Sequence, residues 1–141
     1  MLVAAVSLVM QAAAQAAPPR STAAGVYSIE QAARGAQIYK SQCAACHGNT
    51  LEGTSGPPLV GDRFLSNWSA QPLANLVDKI QKTMPFNLPG KLSRSQSIDL
   101  SAYLLQIAKI EAGQGELSEA ALTQIVFPTV RATAPFATVK E

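Results

Sequence analysis

The stretch Cys43-Ala44-Ala45-Cys46-His47 decides the reading of this chain. It is a C-x-x-C-H run, the attachment signature of a c-type haem: two thiols three residues apart can each bond a porphyrin vinyl group, and the adjacent imidazole then lies under the iron. A bare C-x-x-C also serves redox dithiols and half zinc sites. Here those alternatives fail on supply. The 141 residues hold 2 cysteines and 1 histidine, all within the run. A four-ligand zinc site therefore cannot be filled, and no βαβ pattern surrounds the motif as a thioredoxin-like site would need.

Outward from the run, the apolar spacing predicts helices. Ser28 followed by Gln31 has the spacing of a capping box, and Ala32, Gly35, Ala36 and Tyr39 recur at helical intervals, so a first helix ends near residues 40–42. Beyond His47 the chain turns to Gly, Thr, Ser and Pro as far as Gly61, loop chemistry that could line one face of a haem. Leu73, Leu76, Val77 and Ile80 stand at i, i+3, i+4 and i+7, an amphipathic helix with Pro72 in its first turn and its end at Met84-Pro85. Pro89-Gly90 supplies a turn. Ser93 and Gln96 repeat the capping-box spacing ahead of Leu100, Tyr103, Leu104 and Ile107, a last core helix that Gly113 and Gly115 close off. A short helical segment is expected from Ser118 to about Ile125, then an extended end. The pattern holds no internal repeat and no strand-rich segment.

Iron held by one histidine has a sixth position, which an electron carrier fills with Met or a second His. The second His does not exist. Met84 is the single methionine outside the apolar N-terminal segment. On its own it reads first as a soft filler of a core gap. Its uniqueness and its place after an amphipathic helix make ligation the expectation, with a thioether that favours ferrous iron.

Over residues 28–110 the chain resembles a class I c-type cytochrome. Gly35 and Tyr39 match the small residue and the aromatic that this family places where its first helix crosses its last, and Leu100 and Tyr103 match the partner pair. Gly56-Pro57-Pro58-Leu59-Val60-Gly61 is similar to the family's G-P-x-L-x-G loop. The resemblance implies an all-α cytochrome c fold of three core helices around one covalent haem c. It also implies that the Pro57 carbonyl accepts the Nδ1 proton of His47 and that Leu59 packs on the haem. Trp68 matches a position where relatives pack a ring on the haem and donate to a propionate, with ordinary core packing as the other reading; Arg63 is a second propionate candidate against plain solvent exposure. The segment from Gly115 to Ile125 resembles an extension in bacterial cytochromes that serve quinoprotein dehydrogenases.

Composition limits the remaining functions. A net charge of +2 gives no argument for nucleic acid, and 48% hydrophobic residues are ordinary for one globular domain. Residues 1–16, apolar and then alanine-rich with an Ala14-Gln15-Ala16 site, read as a secretory signal, atypical because Arg20 is the first basic residue. Retained, they would make a membrane anchor, although a span needs about 20 apolar residues. The expected layout is a signal (1–16), a flexible lead-in (17–27), the cytochrome domain (28–110) and a C-terminal extension (111–141).

These features point to a periplasmic one-electron carrier without catalytic residues, passing electrons between a dehydrogenase or other respiratory donor and an acceptor such as an oxidase. A fixed electron-transfer subunit of a redox complex shares that chemistry. A haem peroxidase or gas sensor would need an open sixth position and a distal acid or base, and no second His can serve. Lys79, Lys82, Lys91 and Arg94 flank Met84 with Asp78 the nearest acid, so a positive docking rim is expected there.

Overall fold

The computed structural model describes residues 18–130. The expected signal segment and the last residues of the extension lie outside the described residues.

Helix α1 (Ile29–Gln42) starts where Ser28 Oγ accepts the Gln31 N–H at 3.1 Å, satisfying one orphan donor of the first turn. Helix α5 (Arg94–Ile107) starts with the full reciprocal box, the Gln96 side chain returning to the Ser93 N–H. The box expected at Ser28 is only half formed, because the Gln31 side chain is taken up elsewhere. The end of α5 is a Schellman motif: Ile110 N–H reaches Leu105 O and Lys109 N–H reaches Gln106 O, with Lys109 at φ 62°. That stop comes several residues before Gly113.

The crossing of α1 and α5 is the largest helix contact among the described residues. A Cβ on Gly35 would lie 2.0 Å from Asp99 O and 2.8 Å from Tyr103 Cβ, so the two backbones touch as only glycine permits. Tyr39 and Tyr103 pack beside that contact with ring centroids 5.4 Å apart.

Helix α4 (Leu73–Thr83) buries Leu73, Leu76, Val77 and Ile80. Eleven residues are marginal as an isolated helix. Each buried aliphatic side chain contributes roughly 1.5–3 kcal/mol, so packing of this face, and not propensity, forms the helix. Leu88-Pro89-Gly90-Lys91 is the expected turn, closed by Lys91 N–H to Leu88 O with Gly90 at φ 78°.

Several expectations fail, each for a tertiary reason. Residues 62–68, to which the spacing assigns no element, form with Gly61, the expected end of the loop, helix α3 (Gly61–Trp68). Its buried Phe64 tilts against Trp68, and the Trp68 ring stacks on Phe127, 59 residues away in sequence, a partner that local spacing cannot reveal. The lead-in is not loose. Strand β1 (Arg20–Ser21) pairs in parallel with β2 (Ile125–Val126), Thr22, Val26 and Tyr27 are buried, and the Tyr27 hydroxyl donates to Ile110 O. The tail likewise departs from the helix expected over 118–125. It makes a 3-10 turn at Glu119–Ala121 and then β2, since Leu117, Leu122, Ile125 and Phe127 all enter the main core. Lead-in, helices and extension thus share one hydrophobic core.

Candidate functional site

Cys43 closes α1 and opens the single turn α2 (Ala44–His47). The backbone N–H groups of Cys46 and His47 both bond to Cys43 O, at 3.1 and 3.0 Å, so the turn carries both thiols and the imidazole on one small frame. Both cysteines are free, Cys43 half-buried and Cys46 exposed. Burial, reinforced by the neighbouring Cys46, pushes the Cys43 thiol up to about 11.

The loop after His47 is built on the carbonyls of this turn. Gly53 N–H bonds to His47 O at 2.8 Å, Gly56 N–H to Cys46 O at 2.8 Å, and Thr54 Oγ1 to Cys46 O at 2.7 Å. Tyr39 OH donates to Gly48 O, and Glu52 accepts from the N–H and hydroxyl of Thr50. A hydrogen bond from its own backbone N–H, with the two from Thr50, holds the Glu52 carboxyl below its usual range. Thr54, Glu52 and Tyr39 were missed as loop-fixing residues; polar side chains that bond backbone leave no periodic trace.

The result is a buried imidazole with a defined orientation. His47 Nδ1 lies 2.8 Å from Pro57 O, and Gly56 lies so close to the ring that a Cβ there would meet Cε1 at 2.9 Å. A carbonyl only accepts, so Nδ1 carries the proton, and in the neutral ring the lone pair is then on Nε2. Nε2 makes no hydrogen bond among the described residues. It is available as a ligand.

Met84 terminates α4, its N–H bonded to Ile80 O at 3.0 Å, and its side chain is half-buried. Directly after it, Phe86 is 85% and Leu88 52% exposed. Leu59 and Val60 are half-buried against the core. Trp68 stacks on Phe127 at 6.3 Å and tilts against Phe64 at 6.4 Å, so its packing partners include the extension. Arg63 is exposed.

The expected positive rim is smaller than the sequence implied. Arg94 pairs with Asp78 and, through a two-pronged contact at 2.7 and 3.0 Å, with Glu119 of the extension; Lys82 also pairs with Asp78. Those two acids offset Arg94 and Lys82. Lys79 and Lys91 form no ion pair among the described residues.

The residues present fit a haem. The donors are an imidazole nitrogen with a free lone pair, a thioether and two thiols at the attachment spacing, and the protein alone leaves Phe86 and Leu88 uncovered. Among the described residues no three His, Cys, Asp or Glu side chains converge on a point. The imidazole, thioether and thiol donors suit a ring-held iron. Surface cavities of about 260 and 350 Å3 beside Tyr27 and Tyr39 are lined by neither His47 nor Met84 and carry none of this chemistry.

The family described as cytochrome c oxidase, cbb3-type, subunit III matches residues 30–104. Thiosulfate dehydrogenase of Stutzerimonas stutzeri (strain A1501) is 36% identical over 81 residues, 51% of this chain and 26% of that protein. Cytochrome c-550 of Bacillus subtilis (strain 168) is 44% identical over 48 residues, 33% of this chain and 34% of that protein. The matched stretches thus amount to only 26% and 34% of the lengths of these curated relatives. The crystal structure of the sulfane dehydrogenase SoxCD from Paracoccus pantotrophus superposes with a TM-score of 0.59 at 23% identity, covering 76% of this chain and 63% of that one. At that identity the likeness is one of fold.

Proposed function

Because the chain belongs to the family described as cytochrome c oxidase, cbb3-type, subunit III, and so is a c-type cytochrome that transfers electrons, we propose that it is a periplasmic one-electron carrier holding a single covalent haem c. In this reading Cys43 and Cys46 form the two thioether bonds, and His47 Nε2 and Met84 Sδ are the axial ligands. When bound, the haem supplies the ferric/ferrous couple. The protein's own residues set the conditions. The Pro57 carbonyl keeps the proton on Nδ1 of His47, which fixes the ring and strengthens Nε2 as a donor. The thioether of Met84 favours the ferrous form, and two protein ligands leave no position for substrate.

The observation that carries this reading is the His47–Pro57 contact at 2.8 Å, one residue beyond two free thiols. The relative named thiosulfate dehydrogenase supports a dehydrogenase as electron donor, with an oxidase or other respiratory protein as acceptor. The match to a 26% portion of a thiosulfate dehydrogenase also favours a second reading, in which the domain is the fixed electron-transfer part of such an enzyme. Purification alone or in a complex separates the two.

The test is expression with export and haem maturation. The denatured protein should keep haem stain on electrophoresis, and the ferric protein should show a Met-to-iron band in the red. Met84→Ala should keep the stain and lose the band. Absence of stain in the wild type, or an unchanged band in Met84→Ala, overturns the assignment.

A further inference from the structure

Met84 ends a helix that is tied to the C-terminal extension at its start and, through Arg94, in its second half. At its start, Ala74 N–H, one of the orphan donors of the first turn, bonds to Leu122 O at 3.2 Å. Nearer its end, Asp78 and Gln81 stand one turn apart on one face, and Arg94 Nη1 donates to both side chains. The same guanidinium turns its other edge to Glu119, with Nε to Oε2 at 2.7 Å and Nη2 to Oε1 at 3.0 Å. Arg94 is thus the hub between the first residue of α5, the second half of α4 and the extension. Its planar fork suits this task, because it serves three acceptors in fixed directions as a lysine could not.

The helix has no comparable hold at its C-terminal end. Beyond Ile80 the apolar face is finished, Lys82 is exposed, and Thr83 Oγ1 bonds only within the helix to Lys79 O. Side-chain bonds from outside the helix to its last two turns come, among the described residues, through Arg94. Besides the buried Val77 and Ile80, that hub is the hold on the second half of α4, and Met84 follows it directly.

We propose that Arg94, held in place by Glu119 of the extension, is a positioning residue for Met84: it fixes the last turns of α4 so that the thioether stays on the iron. This rests on the reading of Met84 as axial ligand. Releasing the hub should leave the haem attached and the helices formed while making the sixth position easier to open.

The experiment uses the haem-loaded protein and compares wild type, Arg94→Gln, Glu119→Gln and a control, Arg34→Gln. Arg34 of α1 makes the other ion pair to the extension, with Glu116, and a second with Asp99 of α5, but none to α4. Imidazole is titrated against the ferric protein while the Met-to-iron band and helix content are followed. The expected result is an imidazole affinity about three- to five-fold higher in Arg94→Gln and Glu119→Gln, the scale of one partly exposed ion pair, with the control unchanged. Equal affinity in wild type and both α4-linked variants overturns the proposal, as does an equal rise in Arg34→Gln, which would mean a generally loosened extension. Should Arg94→Gln not fold, Glu119→Gln decides by the same criterion. A wild type that lacks the band removes the ligation itself, and is told apart because it shows before any variant is made.

Discussion

The side chain of Gln31 hydrogen-bonds both backbone groups of Leu117, its Nε2 donating to the carbonyl at 2.9 Å and its Oε1 accepting the N–H at 2.7 Å. Both residues are buried. A single amide in the first turn of α1 thereby stands in for a β-ladder partner and fastens the extension to the helix pair. Removal of the amide leaves a buried donor and acceptor unpaired, each costing about 1–3 kcal/mol. Gln31→Ala and Gln31→Leu should each lower the unfolding free energy by about 2–4 kcal/mol, measured by denaturant titration of the haem-loaded protein. A loss under about 0.5 kcal/mol, the usual range of a neutral surface change, would show that the two bonds are dispensable.

A second stability prediction concerns the helix crossing. The Cβ of alanine at position 35 would lie 2.0 Å from a backbone oxygen of α5, which no rotamer change relieves. Gly35→Ala should cost about 3 kcal/mol or more, at the upper end for overpacking. Ala36, half-buried on the same helix, provides a neighbouring position where Ala36→Ser should stay within about 0.5 kcal/mol. Thermal unfolding of the pair checks both.

How far these relations could be read from the sequence depends on their range. Helices α1, α4 and α5 were legible because Leu73, Leu76, Val77 and Ile80, and the corresponding sets on the other two, repeat at the helical period. Gly35 with Tyr103 was legible because the family pattern carries it. Helix α3 was not, since Phe64 and Trp68 are too few to show a period and Trp68 draws its packing from Phe127. Nor was the role of Gln31: its spacing from Ser28 suggests a local box, and the long-range contact with Leu117 wins because it satisfies two buried backbone groups where the box would satisfy one N–H. In the site, the cysteines, His47 and the Pro57 loop stood out as motifs. The bonds from Thr54 and Tyr39 that hold this loop left no comparable signal.

Acid should loosen the extension. Hydrogen bonds from Arg34 hold the Glu116 carboxyl below its usual range, and hydrogen bonds from Arg94 do the same for Glu119, against weak repulsion from Asp78. A carboxyl with a depressed folded-state pKa stabilises the fold above the ordinary value of 4.5 and loses that contribution as pH falls through the depressed one. Both groups are exposed, so the effect is modest and screened by salt. Amide exchange over residues 116–127, corrected for intrinsic rates, should quicken as pH drops below 4.5 while the interiors of α1 and α5 stay protected. In an Arg34→Gln/Arg94→Gln double variant that dependence should flatten; a persistent acid transition there would assign it to other groups.

Electron exchange should depend on Lys79 and Lys91 more than on the two cations whose charge the fold already spends internally. Arg94 and Lys82 are matched by Asp78 and Glu119, whereas Lys79 and Lys91 are exposed and form no ion pair among the described residues. Transient redox encounters bury little surface and rely on long-range steering, which ions screen beyond about 8 Å at physiological strength. With an acidic redox partner, the second-order rate measured by stopped flow should fall as salt rises. Lys79→Gln/Lys91→Gln should slow it by about three- to ten-fold at low ionic strength, within the range that interface changes give to association rates. The difference from wild type should vanish at high salt. Lys82→Gln should do less, since removing it leaves Asp78 still engaged by Arg94. A flat salt dependence, or an unchanged rate in the double variant, would assign docking to the exposed Phe86 and Leu88 instead.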